Sequence, residues 1–464
     1  MTSIIPASRR QVAHVAASLG LALAGACREI DAPNFNNPSV GAALEAPTRG
    51  AIANAAQGLL RGTRVNVGES VRWLGAFGRE GYPMAATGAS LPGSVRDPLV
   101  FDGFPGNVLY ADPYRNILGA NLLLAMVDAG GGLTETEKAA VRGFARTIVA
   151  YDLLQVIVTR DRFGAPVDVG TDPNAQPAPI LPRDEVYARI ARLLDQAATD
   201  LRAGGTAFPF TPTSGLTGFS TPATFLRLNR ALKARVSVYR DQWADALAAL
   251  GESFLDTTQP LAFGAYHVYS TTSGDIPNPN FRPDLLWAHR RLRTEAQRRP
   301  DGGLDLRAQN KLVSVPVFTL IGISSDLQFS IYNSPTAPIP WVKNEELILL
   351  RAEANLGLGN RAAAIRDINV VRTNSGGLAP LPESFSGDLL GELLYNKRYS
   401  LMWEGGHTWI DMRHYGRLAQ IPVGRSDPRL FDAMPIPGGE CQVRSPQPPG
   451  CEVVTGITPP PTGP

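Results

Sequence analysis

Charge, histidine and cysteine are all scarce in this chain. Its 464 residues hold five histidines and three cysteines, and only 19% are charged, against about 25% in average domains. No two Cys or His residues stand at zinc-ligand spacing, so no metal is expected. His-Glu-x-x-His, Gly-x-Ser-x-Gly and a phosphate-binding loop are missing, so nothing points to a catalytic centre or a cofactor. Lys and Arg number 44 against 42 for Asp and Glu. Arg9 and Arg10 account for that excess, because residues 1–26 contain no acid. The remaining chain is neutral, has no Lys/Arg run, and so carries no electrostatic footprint for nucleic acid. Glycine shows no third-residue period, which excludes collagen. A hydrophobic share of 44% excludes global disorder.

Proline, by contrast, is in excess. The chain has 39 prolines and 46 glycines, above average usage of about 5% and 7%. Their placement is uneven. The stretches 48–82, 114–165, 183–208, 223–259, 341–379 and 383–421 contain no proline. Proline removes a donor and clashes with the preceding helical turn. Helices are therefore expected in these windows, with loops, turns and edge strands between them.

Residues 1–26 read as an export signal. Arg9 and Arg10 are its charged part, and Val12 to Ala26 is a small and apolar run. At about 15 residues that run is too short to span a bilayer, which takes about 20. Leu23-Ala24-Gly25-Ala26-Cys27 admits two readings. Ala24-Gly25-Ala26 fits a signal-peptidase site, with plain secretion. Cys27 directly after it fits a lipobox whose cysteine is acylated, although Leu23 stands four residues before the cysteine instead of three. The acylated reading is preferred, with residues 27–47 as a tether. If Cys27 carries lipid, Cys441 and Cys451 remain as an even pair around a short proline-rich loop. Closing that loop would contribute roughly 2–3 kcal/mol in a chain-entropy account.

Helical spacing appears where proline is missing. Tyr114 to Leu123 begins one helix, and Phe144, Ile148, Tyr151 and Leu154 mark a second that ends at Gly164-Ala165-Pro166. Val186, Ile190, Leu193, Leu194 and Ala197 mark a third, in 183–202. At Tyr239–Ala246 and Leu358–Ala364 a helix stops at a polar turn and another starts with alanines, the pattern of a divergent tetratricopeptide hairpin. Residues 260–340 read as loops with a few short strands, such as Lys311 to Val317, and 435–464 is too proline-rich for helix.

The most informative segment is C-terminal. It runs Glu353-Ala354-Asn355-Leu356-Gly357, then Asn369-Val370-Val371-Arg372, then Lys397-Arg398 with Leu401, Glu404-Gly405 and Trp409-Ile410-Asp411-Met412-Arg413. This resembles the SusD/RagB family of outer-membrane nutrient-binding lipoproteins, whose signature is a late Asn-x-x-Arg followed by Arg, Leu, Glu-Gly and Trp-x-Asp-x-Arg. Tyr114 to Asn121, Phe163-Gly164-Ala165-Pro166, Pro182 to Tyr187 and Met434-Pro435-Ile436-Pro437 fit the same family. There are departures. Asn396 and Ser400 replace expected acids, and one extra residue separates Glu404 from Asp411.

The resemblance implies a mainly α fold of tetratricopeptide-like hairpins with a loop-rich part and a few strands. It implies one domain over 48–464, with 260–340 as an irregular ligand-facing insertion and 341–440 as the motif region. It further implies a lipid-anchored outer-membrane protein that binds a glycan or oligosaccharide, or secondarily a peptide. Such a protein passes its cargo to a SusC-like TonB-dependent transporter. The rival class is a helical scaffold that binds proteins only. Glu404, His407, Asp411 and Arg413 could be read as catalytic. Buried charges that lock a helix end explain them better, and no enzyme is expected. Sugar rings stack on aromatic faces. Trp73, Arg79, Tyr82, Tyr266, Tyr269 and Trp287, in or beside irregular segments, are therefore the candidate ligand contacts.

Overall fold

A computed structural model describes residues 44–84, 95, 97–100, 106–172, 175–282 and 285–457. The export segment, Cys27 and most of the tether lie outside the described residues. The chain from Ala46 onward forms one compact unit.

The first helices are α1 (Arg49–Gly62) and α2 (Val67–Phe77), followed by strand β1 (Gly81–Pro83). Thr48 caps α1 by accepting the N–H of Ala51. Next come α3 (Val108–Asp128) and α4 (Glu135–Arg160). Thr134 and Glu137 form a capping box at the start of α4. The strands β2 (Ala165–Pro166) and β3 (Ile180–Leu181) pair, and α5 (Arg183–Ala203), α6 (Pro222–Val238) and α7 (Trp243–Gly251) follow. Short turns join α3 to α4 and α6 to α7, which makes them antiparallel neighbours.

Beyond α7 lie β4 (Gly264–His267), β5 (Leu286–Ala288), α8 (Arg291–Thr294), α9 (Leu306–Lys311), β6 (Leu312–Leu320), β7 (Ile323–Phe329) and β8 (Ile339–Lys343). The chain closes with α10 (Asn344–Gly357), α11 (Arg361–Asn374), α12 (Leu389–Ser400), α13 (His407–His414) and α14 (Gly438–Gln442). Strand order in the largest sheet is β1-β5-β7-β6, and β4 pairs separately with β8. No helix among the described residues is long and apolar enough to cross a membrane.

The helices stack in sequence. α4 packs between α3 and α5, α6 between α5 and α7, and α7 reaches α10, which packs on α11 and α12. One apolar core lies within this repeat face, with Ile348, Ala352, Ile365, Ile368 and Leu393 buried together. A second joins α2, the four-stranded sheet and α12 through Val71, Leu286, Leu327, Tyr399 and Trp403.

Three sequence expectations need adjustment. α3 starts at Val108 and carries Pro113 inside it, so the proline-free window missed its first turns. α4 ends at Arg160, where Asp161 takes φ 43°, a left-handed conformation that breaks the helix before Gly164. The proline-rich tail does hold a short helix, α14. Pro437 stands just before it with φ −61°, which suits a helix start. Cys441 and Cys451 are joined by a disulfide, with Cα atoms 5.7 Å apart.

Candidate functional site

The C-terminal motif builds an interior lock. Lys397, on α12, is 1% exposed and donates to Glu353 Oε2 of α10 at 2.8 Å and to Asp411 Oδ1 of α13 at 2.7 Å. Tyr415 donates to Glu353 Oε1 at 2.7 Å. Three helices are thus tied through one ammonium. Arg235 of α6 makes a two-pronged pair with Glu346 of α10 at 2.6 and 2.7 Å. Glu404 accepts from Lys343 at 2.8 Å. Arg413 reaches the main-chain oxygens of Asp432 and Val158 at 2.8 and 2.9 Å.

The Asn-x-x-Arg pair anchors the next loop. Asn369 exchanges two hydrogen bonds with Leu381, and Arg372 donates to Ala379 O and to Glu392. At the departures, Ser400 accepts from Arg307, whose charge is met by Asp305 at 2.6 Å.

Glu404, Asp411 and Arg413 are therefore structural in their contacts, and His407 is buried near them. Burial pushes the His407 imidazole down to about 3, so it stays neutral. The unfolded chain takes up a proton near pH 6.5 that the folded chain refuses until about 3. The stability held by neutral His407 is therefore complete above pH 6.5 and is lost as pH falls below it. Relative to His407→Gln, the wild type is expected to lose about 1.4 kcal/mol per pH unit below 6.5. Urea midpoints of both proteins between pH 7.5 and 4.5 test this. Parallel curves would contradict it.

Of the candidate ligand contacts, three gather at the four-stranded sheet, but inside it. Tyr82 faces Trp287 across β1 and β5. Trp287 is 9% exposed and is stacked by Phe318 at 5.0 Å. Arg79 is fully buried, with φ 54°. Its guanidinium pairs with Asp427 at 3.0 Å and donates to the main-chain oxygens of Ala76, Asp427 and Arg429. Tyr82 donates to the same aspartate. Trp73 is buried against Phe77 at 6.1 Å. None of these four offers a ligand an open face. Sequence reasoning placed them in or beside irregular segments, whereas Tyr82 and Trp287 are drawn into the core by the strands of the sheet, Arg79 by its pairing with Asp427, and Trp73 by its place on α2.

Tyr266 and Tyr269 lie elsewhere, at the β4 strand. Tyr266 is half-buried and borders a cleft of about 140 Å³ together with Gln57, Arg61, Arg64, Thr213, Asp275 and Trp341. The end of α1 supplies one wall, and the 3₁₀ turn Ser214–Phe219 supplies another. Close approach of that turn needs Gly215, where a Cβ would stand 2.0 Å from the Tyr266 carbonyl oxygen. The back wall is rigid. Trp341 donates to His267 Nδ1 at 2.6 Å, which leaves the His267 proton on Nε2 to reach the Tyr151 hydroxyl at 3.0 Å. Burial, then the charge of Arg64, holds His267 well below its ordinary pKa. Tyr151 stacks on Trp341 at 4.7 Å. Arg64 donates to Val268 O and to Asp275 and sits 5.8 Å over the ring of Tyr269, which is otherwise buried. An aromatic side chain, a planar guanidinium and an amide around a hollow of this size can pack against and hydrogen-bond a sugar ring. The sequence reading missed Gln57, Arg61, Arg64 and Asp275. The Arg61/Arg64 spacing, three residues apart at a helix end, is the signal that could have found the two arginines.

Two other hollows are less suited. A cavity of about 50 Å³ between Arg235, Glu404 and His407 has room for water only. A more open groove of about 300 Å³ beside Trp243 and Tyr415 runs along the repeat face. Trp243 itself is half-buried, its ring against Gly357. Among the described residues no group of His, Cys, Asp and Glu could hold a metal ion.

No family profile matches the chain, and no curated protein sequence matches it. Solved structures do. A SusD superfamily protein from Bacteroides fragilis superposes with a TM-score of 0.67 at 16% identity, covering 86% of this chain and 98% of that one. A SusD superfamily protein from Bacteroides vulgatus ATCC 8482 gives 0.62 at 14% identity, over 89% and 99%. A laminarin-binding SusD-like protein gives 0.60 at 16% identity, over 87% and 98%. The chain, mainly helical with a few short strands, has the fold of the SusD superfamily.

Proposed function

We propose that this protein captures a glycan at the outer-membrane surface and passes it to a SusC-like TonB-dependent transporter, with no covalent chemistry of its own. The observation that carries the reading is the cleft at Tyr266. It combines an aromatic side chain with hydrogen-bonding groups on a braced wall, in a fold shared over nearly its whole length with a laminarin-binding protein. The export-like segment with Cys27 supports a lipid anchor, and acylation there would hold the cleft at the membrane surface.

A glycan array followed by calorimetric titration tests the reading. The wild type is expected to bind one class of oligosaccharide. Tyr266→Ala is expected to weaken that binding about tenfold, or 1.4 kcal/mol, while unfolding at an unchanged midpoint. Binding of peptides alone, or of no small cargo while a periplasmic protein is retained, would overturn it. Cys27→Ala tests the anchor. A variant that stays in the membrane fraction would rule out acylation as the tether.

A further inference from the structure

We propose that the cleft selects a glycan carrying an anionic group, a uronate carboxylate or a sulfate ester, over a neutral glycan of the same length. This rests on the glycan-capture reading and concerns the same site. The groups bordering the cleft are unequal in charge. Arg61 and Arg64 face it, and Asp275 is the single carboxylate among the described lining residues. That carboxylate is engaged, since its Oδ1 accepts from Arg64 and from the Ile276 N–H at 2.9 Å. Two guanidiniums thus share one aspartate, and one positive charge is left uncompensated.

The donors are also in surplus. Arg64 spends Nη1 on Val268 O and Nη2 on Asp275, while its Nε–H is buried with no acceptor. The Arg61 side chain is exposed at the rim and makes no hydrogen bond among the described residues, although its charge acts on Asp275. Of the cleft's acceptors, His267 is tied between Trp341 and Tyr151, and the Tyr266 hydroxyl donates to Ala262 O, while Gln57 and Thr213 remain for sugar hydroxyls. A planar guanidinium that is free at the rim matches a carboxylate or sulfate through two parallel hydrogen bonds. A neutral sugar would leave that charge to water.

Titration of the full mature protein with three oligosaccharides of equal length tests the inference: a galacturonate, a sulfated galactan and a neutral β-glucan. At low salt, at least one anionic ligand is expected to bind tenfold or more tightly than the neutral one. That advantage is expected to shrink with added salt, as exposed charges are screened. Arg61→Gln is expected to narrow the ratio about tenfold. Preference for the galacturonate identifies a carboxylate, and preference for the galactan identifies a sulfate. Equal binding of neutral and anionic ligands, or an unchanged ratio in Arg61→Gln, overturns this inference and leaves glycan capture standing. Failure to bind any glycan overturns both.

Discussion

Replacing Lys397 by alanine is expected to cost about 3–5 kcal/mol of stability, the range for removing one partner of a buried ion pair. The reason is what stays behind. Glu353 and Asp411 are 2% and 5% exposed at their side chains, and without the ammonium two carboxylates face each other inside the protein. Burial already pushes the Asp411 carboxyl up to about 7 even with Lys397 beside it. In the alanine variant Asp411 will hold its proton, and the tie between α10, α12 and α13 is lost. A triple variant, Lys397→Met with Glu353→Gln and Asp411→Asn, removes all three charges of this cluster and is expected to recover most of the loss. Denaturant midpoints measure both. A loss below about 1 kcal/mol in Lys397→Ala would place the pair among weak surface-like contacts and contradict the lock.

Arg79→Ala is expected to be as damaging, again by about 3–5 kcal/mol. The side chain is fully buried, and its removal strands Asp427 together with the carbonyls of Ala76 and Arg429. Tyr82, which donates to Asp427, loses its fixed partner as well. The same variant separates structure from binding. If Arg79 were a ligand contact, Arg79→Ala would keep the wild-type midpoint and lose glycan affinity. The arrangement around Asp427 predicts the reverse order, with stability lost first.

These two residues show what the sequence could convey. Asp411 lies in a motif of fixed spacing and reads as a buried charge that locks a helix end, whereas its pairing with Lys397 on the preceding helix was not legible. The helices were legible for a similar reason. Proline and hydrophobic periodicity act locally, and the hairpin turns at 239–242 and 358–360 follow from short polar breaks. Arg79 and Tyr82 were not legible. Their burial depends on β5, some two hundred residues later in the chain, and on Asp427, and such long-range pairing leaves no local pattern. The cleft is of the same kind. α1, the 214–219 turn and β4 meet there from three distant segments, and only Tyr266 stood out among flanking loops.

Hydrogen–deuterium exchange of the protein with and without a saturating bound oligosaccharide tests the central claim most directly. Protection is predicted in the segments around 57–64, 211–216 and 264–275, which meet at the cleft. Protection confined to the sheet at Tyr82 and Trp287, or to the repeat-face groove at Trp243, would contradict it.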